Sequence, residues 1–162
     1  MTYYIIIRGP LGCGKSTIAE ALSKRLKAKH FAIDRVLDEN NIGEWEDGYV
    51  SLKSFIKVNE ISAERAKKDL DGGISIIFDG NFYFKEQIED LIKRLDFPHY
   101  VFTLKAPLKV CIDRDSKRSK THGKDAAEAV YKKSTGFSYG ITVNVDRSMD
   151  ETIEEIISYL HE

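Results

Sequence analysis

The sequence predicts an α/β fold, a single domain in which a five-stranded parallel sheet lies between layers of helices. Three observations predict it. Short apolar runs alternate along the chain with longer stretches whose apolar residues recur at helical spacing. Each connection between successive runs is long enough for the crossover that parallel strands require. A glycine-rich segment, Gly9-Pro10-Leu11-Gly12-Cys13-Gly14-Lys15-Ser16, stands between the first apolar run and the first helical stretch. This is the strand, loop and helix context in which the pattern G-x-x-x-x-G-K-[ST] acquires meaning as a phosphate-binding loop.

Taken in order, Tyr3 to Ile7 is a continuous apolar run ended by Arg8-Gly9-Pro10, as expected of a central strand buried on both faces. Ile18, Leu22 and Leu26 then recur every four residues with Glu20, Lys24 and Arg25 between them, which predicts a helix from the loop to about Lys27. A second strand is expected at His30 to Ile33, ending in Asp34-Arg35. From Val36 to Tyr49 the pattern is broken by Asn40-Asn41, Gly43 and Asp47-Gly48, which predicts short helix and loop. From Ser51, the spacing of Leu52, Ile56, Asn59, Ala63, Ala66 and Leu70 traces one face of a long helix stopped by Gly72-Gly73. Ile74 to Phe78 is the third strand, closed by Asp79-Gly80. Ile88, Leu91, Ile92 and Leu95 stripe the next helix, and Pro98 follows its end. Tyr100 to Leu104 is the fourth strand. Pro107 is expected as the first residue of a helix carrying Leu108, Cys111 and Ile112 inward. Asp125 to Glu128 and Ser148 to Glu151 read as capping boxes opening two further helices, with the fifth strand, Gly140 to Val145, between them.

Composition bounds the function. At 162 residues the chain fits one domain spanning 1–162, since a domain near this size buries about two-thirds of the surface its unfolded chain exposes. A formal net charge of -1 with 31% charged residues creates no global positive field, so nucleic acid is not a favoured partner and an anionic membrane is not expected as one. Cys13 and Cys111 are far apart, one of them inside the loop, which argues for a reducing compartment and against a disulfide framework or a metal pair. The N-terminus lacks the pattern of a signal peptide and no run approaches membrane-spanning length, so a soluble, cytoplasmic protein is expected.

The loop carries the chemistry. Its glycines let backbone N–H groups turn inward around phosphates, and the helix that begins near Thr17 adds the partial positive charge of its N-terminus. Lys15 reaches the terminal phosphates in such a loop, and Ser16 offers its hydroxyl to magnesium. The expected ligand is a nucleoside triphosphate. An apolar strand ended by an acid, here Asp79, matches the second magnesium-site motif of phosphate-loop proteins. Ligands of open parallel sheets sit beyond the carboxyl ends of the strands, which places Asp34 where substrate would be. Arg114 and Arg118 are four apart, so both guanidinium groups are expected on one helix face.

Together these residues resemble the small phosphate-loop kinases: nucleoside monophosphate, shikimate and gluconate kinases, chloramphenicol phosphotransferase, the zeta toxins and the kinase domain of polynucleotide kinase. The resemblance spans essentially the whole chain. It implies a sheet order of 2-3-1-4-5, ATP and Mg2+ as cofactors, and transfer of the γ-phosphate to a hydroxyl or phosphate of a small molecule or nucleotide. It implies that Asp34 faces the acceptor hydroxyl, that Arg114 and Arg118 belong to a short lid at about 114–125, and that Asp146-Arg147-Ser148 forms the turn that packs on adenine. The acceptor would bind within about 34–70 and near the end of the third strand, where Arg35, Trp45, Tyr49, Asn81, Tyr83 and Phe84 are candidate contacts. Polynucleotide 5′-hydroxyl kinase and a non-kinase ATPase or nucleotide-binding module stay open as alternatives. A GTPase is disfavoured, because Thr103-Leu104-Lys105-Ala106 stands where Asn-Lys-x-Asp would select guanine.

Overall fold

The computed structural model describes residues 1–46, 49–117 and 124–160. In chain order the elements are β1 (Tyr4–Arg8), α1 (Lys15–Leu26), β2 (Lys29–Ala32), α2 (Ile33–Asn40), β3 (Trp45–Glu46), β4 (Tyr49–Val50) and α3 (Leu52–Asp71). They continue as β5 (Ile76–Asp79), α4 (Lys85–Arg94), β6 (His99–Lys105), α5 (Leu108–Ser116), α6 (Lys124–Thr135), β7 (Ile141–Asn144) and α7 (Met149–Tyr159). Five strands form one all-parallel sheet in the order β2-β5-β1-β6-β7. Numbered among themselves these strands run 2-3-1-4-5, the arrangement of phosphate-loop kinases.

Because side chains alternate across a strand, β1 feeds two cores at once. Tyr4 and Ile6 face a layer that includes Val36, Phe55, Val58, Leu91 and Val130, from α2, α3, α4 and α6. Ile5 and Ile7 face the opposite layer with Ile18, Leu22, Cys111, Ile153 and Ile156, from α1, α5 and α7. The central strand is therefore apolar at successive positions, which is why its run reads as continuous rather than alternating.

Several boundaries differ from expectation. β2 ends at Ala32, and the apolar Ile33 opens α2, whose buried stripe is Ile33, Val36 and Leu37. Asp34 therefore stands in the first turn of a helix, not at a strand end. The segment expected as short helix and loop holds α2 and also the antiparallel pair β3 and β4. Ser51 is the N-cap of α3, its hydroxyl accepting from the Ser54 N–H at 3.2 Å. Pro107 is the N-cap of α5 and not its first residue, since its ψ of 147° is extended while its carbonyl accepts from Cys111 N–H at 3.2 Å. α6 begins at Lys124, which puts Asp125 inside its first turn where an acid complements the helix dipole, and not at the cap. Ser148 caps α7 as expected, accepting from Glu151 N–H at 3.2 Å.

Arg8, fully buried at the end of β1, ties the layers together where the loop begins. Its Nε donates to Phe82 O at 3.0 Å, Nη1 to Thr103 Oγ1 at 3.1 Å and Nη2 to Ser134 O at 2.8 Å. The guanidinium also lies over the Phe137 ring, 4.3 Å from its centroid. Burial pushes its pKa down to about 10, so it stays charged at neutral pH. Arg8→Ala would leave three acceptors on β6, α6 and the loop after β5 without their donor, and would open a cavity beneath them. The expected loss is on the order of 3 kcal/mol, read as a lower denaturation midpoint in urea. An unchanged midpoint would contradict this account of Arg8.

Candidate active site

The site forms where β1, β2 and β5 end, because their registers bring those ends level: Ile7 pairs with Asp79 and Asp79 with Ala32. Directly after β1 the chain turns through Gly9 to Gly14. Gly12 has φ 78° and Gly14 φ 85°, conformations that L side chains rarely adopt. At Gly12 the need is also steric, since a Cβ there would stand 2.1 Å from the Cys111 carbonyl of α5. The loop thus packs directly on α5 and delivers the chain into α1 at Lys15. The first N–H groups of α1 have no partner inside their helix and carry its positive dipole end.

Lys15 is nearly buried, and its Nζ donates to Pro10 O at 2.9 Å, so the ammonium lies over the loop. Gly12, Gly14, Lys15, Ser16, Thr17 and Arg114 line a cavity of about 250 Å3. Backbone donors, one ammonium and one guanidinium meet there, the donor set that polyphosphate requires. Arg114 is held by a bond from Nη2 to Val145 O at 2.9 Å, which joins α5 to the end of β7. Asp146 follows Val145 and is exposed, its N–H donating to Asn144 Oδ1 at 2.9 Å. Cys13 is buried on the α1 side of the sheet, where burial pushes its thiol up.

Ser16 Oγ donates to Asp79 Oδ1 at 3.2 Å, so α1 and β5 place a hydroxyl and a carboxylate side by side. The other carboxylate oxygen, Asp79 Oδ2, pairs with His30 Nε2 from β2. Among the described residues no group of three or more His, Cys, Asp or Glu gathers as a metal site. One hydroxyl and one carboxylate do suit magnesium, a hard cation that keeps several waters and takes further oxygens from substrate phosphates.

Beyond the loop, a second cavity of about 410 Å3 has Asp34 and Asp38 from α2, Asn41 at its C-cap, Asn81 and Tyr83 after β5, and Leu11 and Val130 among its lining. Asp34 lines this second cavity and lies close enough to Lys15, which lines the first, and to Asp79 to feel both charges. Burial and the Asp79 charge outweigh the pull of Lys15 and of the Asn81 N–H, and raise its pKa to about 6. Its Oδ1 is buried without a hydrogen-bond partner, as is Asn81 Oδ1. Capping does not account for Asp34, because Ala32 is the N-cap of α2 and no side chain caps that helix.

The remaining sequence candidates divide. Tyr83 lines the cavity and anchors β4, its hydroxyl donating to Val50 O at 3.2 Å and accepting from Val50 N–H at 2.6 Å. Phe84 packs instead against Phe55 and Tyr83. Arg35 turns away into a groove along β2 and α3. Trp45 and Tyr49 stand in β3 and β4, and their side chains lie outside the described residues. Arg118 and residues 119–123 of the expected lid also lie outside the described residues, while α5 ends at Ser116 with Lys117 as its C-cap.

With this geometry in hand, comparison with known proteins decides the family. The model of the AAA domain family matches residues 5–136. The chain belongs to that family. Its fold is that of the small phosphate-loop kinases. A sugar kinase from Janibacter sp. HTCC2649 superposes with a TM-score of 0.80 at 20% identity, over 99% of this chain and 95% of that one. A gluconokinase from Sinorhizobium meliloti 1021 gives 0.78 at 15% identity, over 98% and 91%. The APS kinase CysC of Mycobacterium tuberculosis, solved with AMPPNP and APS, gives 0.77 at 19% identity, over 99% and 98%. No curated protein matches the chain in sequence.

Two site residues were missed in the sequence. His30 was read only as part of a strand, and its pairing with Asp79 follows from β2 lying beside β5, which alternation of elements does not reveal. Asp38 had a readable signal: it is four residues after Asp34, hence on the same face once the segment is helical.

Proposed function

We propose that the chain is an ATP-dependent phosphotransferase that moves the γ-phosphate of ATP to a hydroxyl of a small-molecule acceptor. The observation that carries this reading is the position of Asp34, a carboxylate that lines an acceptor-sized cavity, feels the charge of Lys15 from the phosphate-sized one, and has an oxygen without a partner. A module that only bound or hydrolysed nucleotide would need no such second cavity. In the proposed reaction the loop N–H groups and Lys15 hold the phosphates, and Asp34 aligns the acceptor oxygen and takes its proton as that oxygen bonds to the γ-phosphorus and the bond from the γ-phosphorus to the β–γ bridging oxygen breaks, releasing ADP. A pKa of about 6 leaves Asp34 ionised at neutral pH yet basic enough to accept that proton. Ser16 and Asp79 would hold magnesium, with His30 orienting Asp79; bound there, the ion neutralises phosphate charge.

Arg114 reaches the phosphate cavity from α5 and neutralises charge on the transferred group, with Arg118 and the segment 114–125 proposed as the lid around it. Asp146 is the proposed contact near adenine. The proposal extends to organisation, with 1–162 acting as one kinase domain in the cytoplasm and 34–70 contributing the acceptor side. Arg114→Ala is expected to lower kcat about tenfold to a hundredfold while changing ATP affinity far less, since its contact strengthens as charge redistributes. Steady-state kinetics beside direct ATP titration separates the two, and an unchanged kcat would return Arg114 to a structural role on Val145.

The functional reading itself is tested with γ-labelled ATP and a panel of sugars, polyols, amino sugars, nucleosides, nucleotides and small acids. Label transferred to a hydroxyl of one panel member supports it. ATP hydrolysis with no labelled product across the panel would contradict it.

A further inference from the structure

We propose that the acceptor cavity takes a hydroxyl compound bearing no negative charge, and prefers an amino alcohol or amino sugar over a phosphorylated or carboxylated one. This deepens the phosphotransferase reading and rests on it for the transfer step, but not for binding. Among the described residues that line the cavity, the ionisable side chains other than the tyrosine are both carboxylic acids, Asp34 and Asp38, one helical turn apart on α2. Neither Lys nor Arg is among them. Asp79 lies close enough to act on Asp34 as Asp38 does, against the opposing pull of Lys15 from the phosphate side.

The described cations nearby have other partners. Arg8 is spent on Phe82, Thr103 and Ser134 beneath the loop. Lys15 donates to Pro10 O on the phosphate side. Arg35 faces the groove on the other flank of α2, and Lys133 sits over the Phe84 ring at 4.6 Å. A phosphate or carboxylate in the cavity would meet like charge in a partly desolvated space with no described partner, an arrangement that disfavours its binding.

The polar demand points the same way. Asp34 Oδ1 is an unpartnered acceptor, and a hydroxyl or ammonium supplies the donor it lacks. Asn81 Oδ1 is also buried and unpartnered. A ligand rich in N–H and O–H donors satisfies both. Apolar lining from Leu37, Val50 and Val130 offers carbon faces for a ring or chain to pack on. At about 410 Å3 the cavity lies in the range of small-ligand sites, enough for a monosaccharide-sized molecule.

The test uses matched probes on the full-length protein, glucosamine and glucose against gluconate and glucose 6-phosphate. Binding is read by ligand-observed NMR and transfer by γ-labelled ATP. The expected order of binding is glucosamine, then glucose, then the two anions, with glucosamine at least about tenfold tighter than gluconate. Asp38→Asn should lower the glucosamine-to-glucose ratio of kcat/KM about tenfold, because it removes a charge that only the ammonium feels. Tighter binding of gluconate or glucose 6-phosphate, or no binding of any probe, would overturn the inference. Preferential glucosamine binding without transfer of label to any acceptor would uphold the charge selection and count against the phosphotransferase reading.

Discussion

Asp34→Asn is expected to lower kcat by roughly a hundredfold or more while ATP affinity stays near that of the wild type. The substitution keeps size and hydrogen-bonding capacity but removes the proposed base, and in the proposed reaction the loop rather than α2 holds the triphosphate. The pH dependence gives the same residue a second readout. A base works only when ionised, so wild-type kcat/KM should fall as pH drops through about 6, the value to which burial and the Asp79 charge raise Asp34. That acid limb should be missing from the residual activity of the variant.

Stability should move in the opposite direction to activity. The folded-state pKa of Asp34 lies above its ordinary value of 3.8, so the native state holds its proton more tightly than the unfolded chain does. The destabilisation is absent below about pH 4, grows as pH rises, and is complete above about pH 6. Asn carries no such charge. The variant should therefore be more stable than wild type at pH 7, by at most about 3 kcal/mol, and no more stable near pH 3.5. Thermal unfolding at both pH values checks the sign, and an Asn variant less stable at pH 7 would show that the carboxylate serves the fold.

Lys15→Ala should abolish measurable turnover, with a loss of about a thousandfold or more, and weaken ATP binding, because in the proposed reaction its ammonium is a full positive charge set against the terminal phosphates. The fold should survive. The side chain makes one described bond, to Pro10 O, and no part of either apolar layer depends on it. Circular dichroism and thermal unfolding are expected within a few degrees of wild type, since losing one such bond costs about 1 kcal/mol. Wild-type kinetics in a folded Lys15→Ala protein would remove the loop from the mechanism.

Much of this was legible in the sequence because it is local. A strand buried on both faces has to be apolar without interruption, as Tyr4 to Ile7 is, and a loop that wraps phosphate has to place glycine where φ is positive and α5 approaches, as at Gly12. What stayed hidden depends on distant partners. Nothing in the run His30-Phe31-Ala32-Ile33 says that its last residue leaves the strand, since Ile33 is as apolar inside α2 as it would be in a sheet. The strand order came from resemblance and not from alternation, and without it His30 cannot be paired with Asp79. Arg8 reads as the polar end of a strand; only the tertiary fold turns it into a buried tie among three elements. The acidity of the second cavity was half visible, in the spacing of Asp34 and Asp38, but that no basic residue is among its described lining is a property of the assembled fold.

The central claim, that loop and carboxylate together make a phosphotransferase, is tested most directly by measuring ADP and phosphorylated product in one reaction, with and without the bound acceptor, in wild type and Asp34→Asn. The account predicts that acceptor raises the wild-type rate of ADP formation at least tenfold, with one phosphorylated product per ADP, and that Asp34→Asn loses this stimulation. An ADP rate indifferent to acceptor, with free phosphate as its product in both proteins, would contradict it.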